Sequence, residues 1–386
     1  MKQSIVVAAV IALGATPAAF ATQGVSKSEI VIGTSQDLSG PIVPFSKQAV
    51  NGMRMRVDEI NAQGGINGRK LKLVVEDHGY DPKKAVLAAQ KMVQRDKIFA
   101  SIGSIGTPTA VASMPIFLDK DVLFLFPLSA ARQMYEPLHK LKFSFAAPYY
   151  DQMRAGLKKL VKDKGHKTVC ALYQDDDFGK EVFGGGEHGL KDSGMKYAEV
   201  TTFKRGATDF SSQVAKLKGA GCQAVVMGTI IRETIGTLVT ARKLGLNADF
   251  IGTTASYTHL IHALGKGAVE GYYSACTINY PYADDPSKNV RDWMAAYKQK
   301  FGVDGDIFAA YGYNMIGMFA TAAEKAGASL TAEGFAATLE KTTYPRDMFG
   351  GDEQTFTPTK HLGSNRAKLC QIQGGKWRSL TDYITE

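Results

Sequence analysis

The sequence predicts an α/β protein made of two doubly wound parallel-sheet lobes joined by a three-crossover hinge. Three observations lead there. From Ile30 onward, short β-rich apolar runs alternate with longer segments of helical period. The same rhythm restarts at Thr168, and beyond Gly271 two helical segments arrive without any strand rhythm. Alternation of this kind implies parallel strands, since a parallel pair needs a crossover long enough to bring the chain back, and the crossover helices cover the sheet.

In order, the first lobe offers strands at 30–35, 71–76, 98–103 and 122–126, with helices at 48–63, 82–95 and 108–118 between them. The second offers strands at 168–173, 197–203, 224–228 and 250–252, with helices near 149–165, 178–193, 208–219 and 232–244. Helices near 287–301 and 307–326 fit a chain that returns to the first lobe. Crossovers are expected near 143–147, 271–277 and 354–360. This gives a first lobe of 22–145 plus 277–356 and a second of 146–276 plus 357–386. A multiple crossover makes a hinge, and the cleft beside it is a common place for a small ligand.

The N-terminus carries Lys2, an apolar run from Ile5 to Leu13, Pro17 and the triplet Ala19-Phe20-Ala21. That reads as a signal peptide, 1–21, because the run is about half the ~20 residues of a membrane span. The remaining 365 of 386 residues exceed one ordinary core and suit two domains. The formal charge of +9 has no dense basic block behind it, so nucleic acid is not an expected partner. Of the four cysteines, Cys170 and Cys222 lie in or beside strands of one region and are the pair to expect if a bridge forms, with buried free thiols an alternative of at least equal weight.

Several ordered blocks carry a resemblance. They are Ile30-Val31-Ile32-Gly33 leading to Leu38-Ser39-Gly40-Pro41, then the run from Asp58 to Arg69 (DEINAQGGINGR), then Asp81-Pro82-Lys83-Lys84-Ala85. Ile102-Gly103 through Thr107-Pro108-Thr109, Asp176-Asp177-Phe178-Gly179-Lys180 and Thr208-Asp209-Phe210-Ser211 follow. Together they make the chain resemble the leucine/isoleucine/valine-binding protein family, periplasmic receptors of the type 1 binding fold. The resemblance implies a periplasmic, noncatalytic and monomeric solute receptor for an ABC importer. Its partners would be a small-molecule ligand, an inner-membrane permease and, through that, an ATPase, with no cofactor.

Open α/β sheets bind ligands at the carboxyl ends of their strands. There the loop Gly103-Ser104-Ile105-Gly106-Thr107 opens a helix, and its backbone N–H groups with the Ser104 and Thr107 hydroxyls suit a carboxylate. By resemblance, Thr107 holds the place of the family's carboxylate-binding hydroxyl. Ser129 keeps a hydroxyl in the next loop, while Ala130 stands where a threonine is expected. The acid that meets an ammonium in amino-acid binders has no counterpart in Thr253-Thr254-Ala255-Ser256-Tyr257; Glu233 or Asp37 are the substitutes if they point inward. Phe45, Phe178, Ile230, Phe308 and Tyr311 outline an apolar, partly aromatic slot, with Thr254 and Tyr257 on its far side. Arg232 and Arg132 are candidate carboxylate partners.

These residues point to a small organic acid, foremost an aromatic carboxylate. The alternatives are a branched-chain or other amino acid, and a ligand-sensing subunit of a signalling system. Enzyme motifs are absent: there is no GxSxG, Walker loop or strand-to-helix GxGxxG. His259 and His262 lack a third metal ligand. Gly184-Gly185-Gly186 reads as a flexible turn, and Asp175-Asp176-Asp177 as a helix cap.

Overall fold

The computed structural model describes residues 22–385; the signal-peptide reading of 1–21 lies outside the described residues. The first sheet is built from β1 (Glu29–Gln36), β2 (Lys70–Asp77), β3 (Ala100–Ile102), β4 (Leu123–Leu125) and β5 (Lys142–Phe143) in the order β2-β1-β3-β4-β5, every pair parallel. Its crossovers are α1 (Val43–Ala62), α2 (Pro82–Gln94) and α3 (Thr107–Leu118). The second sheet begins after α4 (Tyr149–Lys164). It takes β6 (Val169–Gln174), β7 (Glu199–Phe203), β8 (Ala224–Gly228), β9 (Asp249–Gly252) and β10 (Tyr273–Cys276), all in parallel pairing. Between these lie α5 (Asp177–Lys191), α6 (Ser211–Gly219), α7 (Arg232–Leu244) and α8 (His259–Gly265).

The chain then returns to the first lobe as α9 (Lys288–Phe301), α10 (Ile307–Ala326), α11 (Ala332–Leu339) and the short antiparallel pair β11 (Thr343–Tyr344) and β12 (Gln354–Thr355). It ends on the second sheet as β13 (Lys368–Gln373), antiparallel to β10, and β14 (Lys376–Ser379). Of these late elements only α9 and α10 have a clear period in sequence. The strands of the end segment are short and alternate poorly, so β10 to β14 escaped the sequence reading.

Local chemistry sets the helix starts. Asp81 accepts N–H bonds from Lys83 and Lys84 at the start of α2, and Asp176 from Phe178 and Gly179 at the start of α5. Asp306 does the same for α10 through Phe308 and Ala309. The glycines expected to form a turn at 184–186 are instead inside α5. A β-carbon at Gly185 would collide with the Tyr150 carbonyl, so the missing side chain lets α4 and α5 touch backbone to backbone. The same device brings α1 and α10 together, where Gly52 faces the Ala309 carbonyl and Gly312 faces that of Ala49.

The expected third crossover, 354–360, is displaced toward the C-terminus. Phe356 packs on Phe126, Phe143 and Tyr344, Thr357 and Lys360 close a hairpin, and the His361 ring stacks on Phe143 at 3.8 Å, all in the first lobe. Leu362 still bridges to Ser144 beside β5. The chain leaves for the second sheet only between 364 and 367. Apolar anchors at Phe356 and Leu362 within a polar stretch hold it back.

All four cysteines are paired. Cys170–Cys222 joins β6 to the entry of β8 with Cα atoms 5.8 Å apart, and Cys276–Cys370 joins the end of β10 to β13 at 6.0 Å. The second pair closes 94 residues, the whole excursion back into the first lobe. Closing a loop of that length stabilises by about 4.7 kcal/mol in the chain-entropy picture. A Cys276→Ser/Cys370→Ser double variant is therefore expected to unfold at clearly lower urea concentration than the parent under non-reducing conditions; an unchanged midpoint would contradict it.

Candidate functional site

In both lobes the parallel strands deliver their carboxyl ends to the space between the lobes, and a small cavity of about 60 Å³ lies there. From the first lobe come the loop before α1, the β2, β3 and β4 exits, and the first turns of α10. From the second come the start of α4, the start of α5, the β8 exit and the β9 exit. The first crossover contributes Phe145 and Ala146.

The polar end of the cavity is the start of α3. Gly106 has φ of 92°, a left-handed conformation that glycine adopts without strain, and it aims the first turn of α3 at the cavity. The Thr107 and Thr109 amides have no intrahelical acceptor at this position, and the helix supplies partial positive charge there. Thr107 Oγ1 and Ser129 Oγ lie 2.8 Å apart, both buried. Two hydroxyls carry two protons, and their mutual bond uses one. The other is free to donate toward an anion in the cavity.

The rest is apolar or phenolic. Phe45 and Phe308 stack on each other at 4.0 Å with 13° between planes, so they form one wall and not two jaws around a ring. Tyr149 and Phe178 meet edge to face at 5.1 Å from the second lobe. Burial pushes the Tyr149 phenol up to about 12. It raises Tyr80 and Tyr311 further still, so these groups are neutral O–H groups at physiological pH. Among the described residues, no Asp, Glu, Lys, Arg or His side chain lines the cavity.

Of the residues expected from sequence, Thr107, Ser129, Ala130, Phe45, Phe178, Ile230, Thr254 and Tyr311 line this cavity. Thr254 is held by Gln152, whose amide accepts from its N–H at 3.0 Å. Three expectations are corrected. Ser104 points into the first lobe, where its hydroxyl accepts from the Ser35 N–H and pairs with Ser101 at 2.9 Å. Tyr257 is buried in a cluster with Trp377 and Tyr280. Arg232 turns onto Glu233 at 3.2 Å with its side chain half-exposed.

The acidic substitutes also lie elsewhere. Asp37 is consumed by the Gly40 and Ile42 N–H groups of its own loop, and Glu233 borders a neighbouring, smaller cavity of about 20 Å³. Arg132 makes a two-pronged bond to Glu181 across the lobes, at 2.9 and 3.0 Å, and lies over the Tyr150 ring at 3.8 Å. A second cross-lobe contact runs from Arg205 to the Tyr80 carbonyl at 2.8 Å.

Residues missed in sequence include Ile42, Tyr80, Phe145 and Tyr149. Tyr80 follows β2 directly, so the strand-end rule that found Thr107 also reaches it. Phe145 belongs to a crossover and Tyr149 opens α4 directly after it, and no local pattern marks them as lining.

Comparison with known proteins agrees with this architecture. A family profile described as periplasmic binding protein matches residues 29–376. A leucine-, isoleucine-, valine-, threonine- and alanine-binding protein of Pseudomonas aeruginosa is 27% identical over 339 residues, covering 87% of this chain and 89% of that protein. A Leu/Ile/Val/Thr-binding protein of Salmonella typhimurium is 26% identical, covering 78% and 80%. Among solved structures, a fatty acid ABC transporter substrate-binding protein from Thermomonospora curvata superposes with a TM-score of 0.84 at 23% identity, covering 95% and 94%. A branched chain amino acid ABC transporter from Thermus thermophilus with bound valine gives 0.83 at 18%, covering 93% and 97%. The two-lobed fold, the cavity at the strand ends and the extent of the match make this chain a member of the periplasmic binding protein family, a binding protein and not an enzyme.

Proposed function

We propose that this chain is the exported periplasmic receptor of an ABC importer and that it captures a compact carboxylate with an apolar body, foremost an aromatic acid. One observation carries the reading: the cavity has hydroxyls and helix N–H groups for an anion and no charged side chain for an ammonium. An α-amino acid placed here would leave its ammonium desolvated and unpaired, at a cost of several kcal/mol. A carboxylate alone meets the helix dipole and the Thr107–Ser129 pair. In this reading the lobes close on the ligand about the three crossovers, and the permease and its ATPase take it onward.

The second reading, a branched-chain amino acid, is favoured by the names of the relatives in Pseudomonas aeruginosa and Salmonella typhimurium. Thermal shift of the purified mature protein separates the two. Benzoate or a phenylpropanoid acid is expected to raise the melting temperature and leucine or valine is not. Stabilisation by leucine or valine alone would overturn the carboxylate reading. Ala255→Glu, which returns an acid to the β9 exit, is expected to weaken carboxylate binding at least tenfold by like-charge repulsion.

Thr107→Ala removes a hydroxyl bonded to a charged group, a loss of about 2 kcal/mol or some thirtyfold in Kd. Calorimetry with the best carboxylate of the panel measures this, and an unchanged Kd would take Thr107 out of the site. Glu181→Gln breaks a pair that spans both lobes and so favours the closed form. A roughly two- to fivefold weaker Kd is expected, since a pair whose arginine keeps contact with solvent contributes about 1 kcal/mol; an unaltered Kd would mean closure does not depend on that bond.

A further inference from the structure

Behind the interlobe cavity lies a second and larger one of about 380 Å³. The two share Phe145, Ala146 and Tyr311 as lining, so the wall between them is one layer of side chains thick. Phe145 sits on the first crossover and Tyr311 on α10, and their rings meet edge to face at 5.6 Å. The Tyr311 hydroxyl is paired with Thr277 Oγ1 at 2.7 Å, and Thr277, at the second crossover, lines only the rear cavity. The partition is thus the Tyr311 ring beside Phe145 and Ala146, with the phenol end fixed by one hydrogen bond from the hinge.

Beyond the partition, Ile278, Met318, Tyr344 and Met348 provide apolar surface. Four charged groups line it. Asp347 accepts N–H bonds from Phe349 and Gly351 at 2.8 and 2.9 Å, Arg56 holds Glu59 at 2.8 Å, Asp352 is bound by Arg366 at 2.9 Å, and Arg346 lies 4.0 Å from Asp352 with its side chain turned largely to solvent. Such a space suits the uncharged tail of a molecule whose anionic head is bound elsewhere.

We propose that Tyr311, pinned by Thr277, sets the maximum ligand length, and that the rear cavity is a subsite for the tail of longer carboxylates, alkyl or arylalkyl, when the ring is displaced. The inference rests on the carboxylate reading above. Each methylene that gains cover in the rear cavity is worth roughly fourfold in affinity, so a tail of a few carbons gives a measurable change.

The test compares the mature parent chain, Thr277→Val and Tyr311→Ala by calorimetry against benzoate, 4-phenylbutyrate and octanoate. Thr277→Val removes the pin and keeps the ring; Tyr311→Ala removes the partition. The ratio of long-acid to benzoate affinity is expected to rise at least tenfold in Tyr311→Ala and about threefold in Thr277→Val. Unchanged ratios in both variants, with benzoate still bound, overturn the length proposal and leave the carboxylate reading standing. A parent that binds octanoate as tightly as benzoate overturns it as well. If none of the three proteins binds any of these acids, the carboxylate reading has failed and the length proposal falls with it. Should Tyr311→Ala not fold by circular dichroism, Thr277→Val decides the matter with the same outcomes.

Discussion

The parallel pairing of strands in both lobes is the constraint from which the rest follows. Parallel strands end at the same edge of a sheet, so every strand-to-helix loop of a lobe gathers on one side. Because the chain crosses between lobes beside those edges, the two sets of loops face each other, and whatever lies between them touches both lobes. The close contact of α1 with α10, allowed by Gly52 and Gly312, completes the arrangement by setting Phe308 of the returning segment against Phe45, with Tyr311 one turn on against Phe308. A side chain at either glycine would push α10 away from α1 and with it the partition formed by Tyr311.

Charge is distributed around the cavity and kept out of it. Burial holds the phenols of Tyr80, Tyr149 and Tyr311 in their neutral form. The nearby carboxylates are satisfied elsewhere, Asp37 by loop N–H groups and Glu181 by Arg132. What lines the cavity is a set of uncharged dipoles: the Thr107, Ser129 and Thr254 hydroxyls, the neutral phenols and the first turn of a helix. Dipoles of this kind stabilise an anion without the desolvation cost of a buried counter-ion.

The two disulfides act at the second sheet, and they differ in what they constrain. Cys170–Cys222 ties neighbouring strands of a parallel core that pairs without help. Cys276–Cys370 fastens β13, an antiparallel late arrival, to β10 and so closes the excursion through the first lobe. It lies beside the hinge, next to Thr277, whose hydroxyl holds Tyr311. Fold closure and the wall of the cavity therefore meet within two adjacent residues.

The sequence by itself determined the α/β class, the two rounds of alternating strands and helices, and the lining loops at 106–107 and 127–130. These depend on local periodicity, helix caps and the strand-end rule, all of which are written within a few residues. It also showed that no acid stands at the β9 exit. Only the tertiary structure decided that Ser104, Arg232 and Tyr257 turn away from the cavity: Ser104 and Tyr257 are drawn off by Ser35 and Trp377, far along the chain, and Arg232 by its neighbour Glu233, whose own position is set by packing. The same holds for the helical role of Gly184–Gly186, which needs Tyr150 of another helix to make sense. The late third crossover, the Cys276–Cys370 pair and the Phe145–Tyr311 partition likewise come from contacts between segments more than 90 residues apart, and no window of sequence contains them.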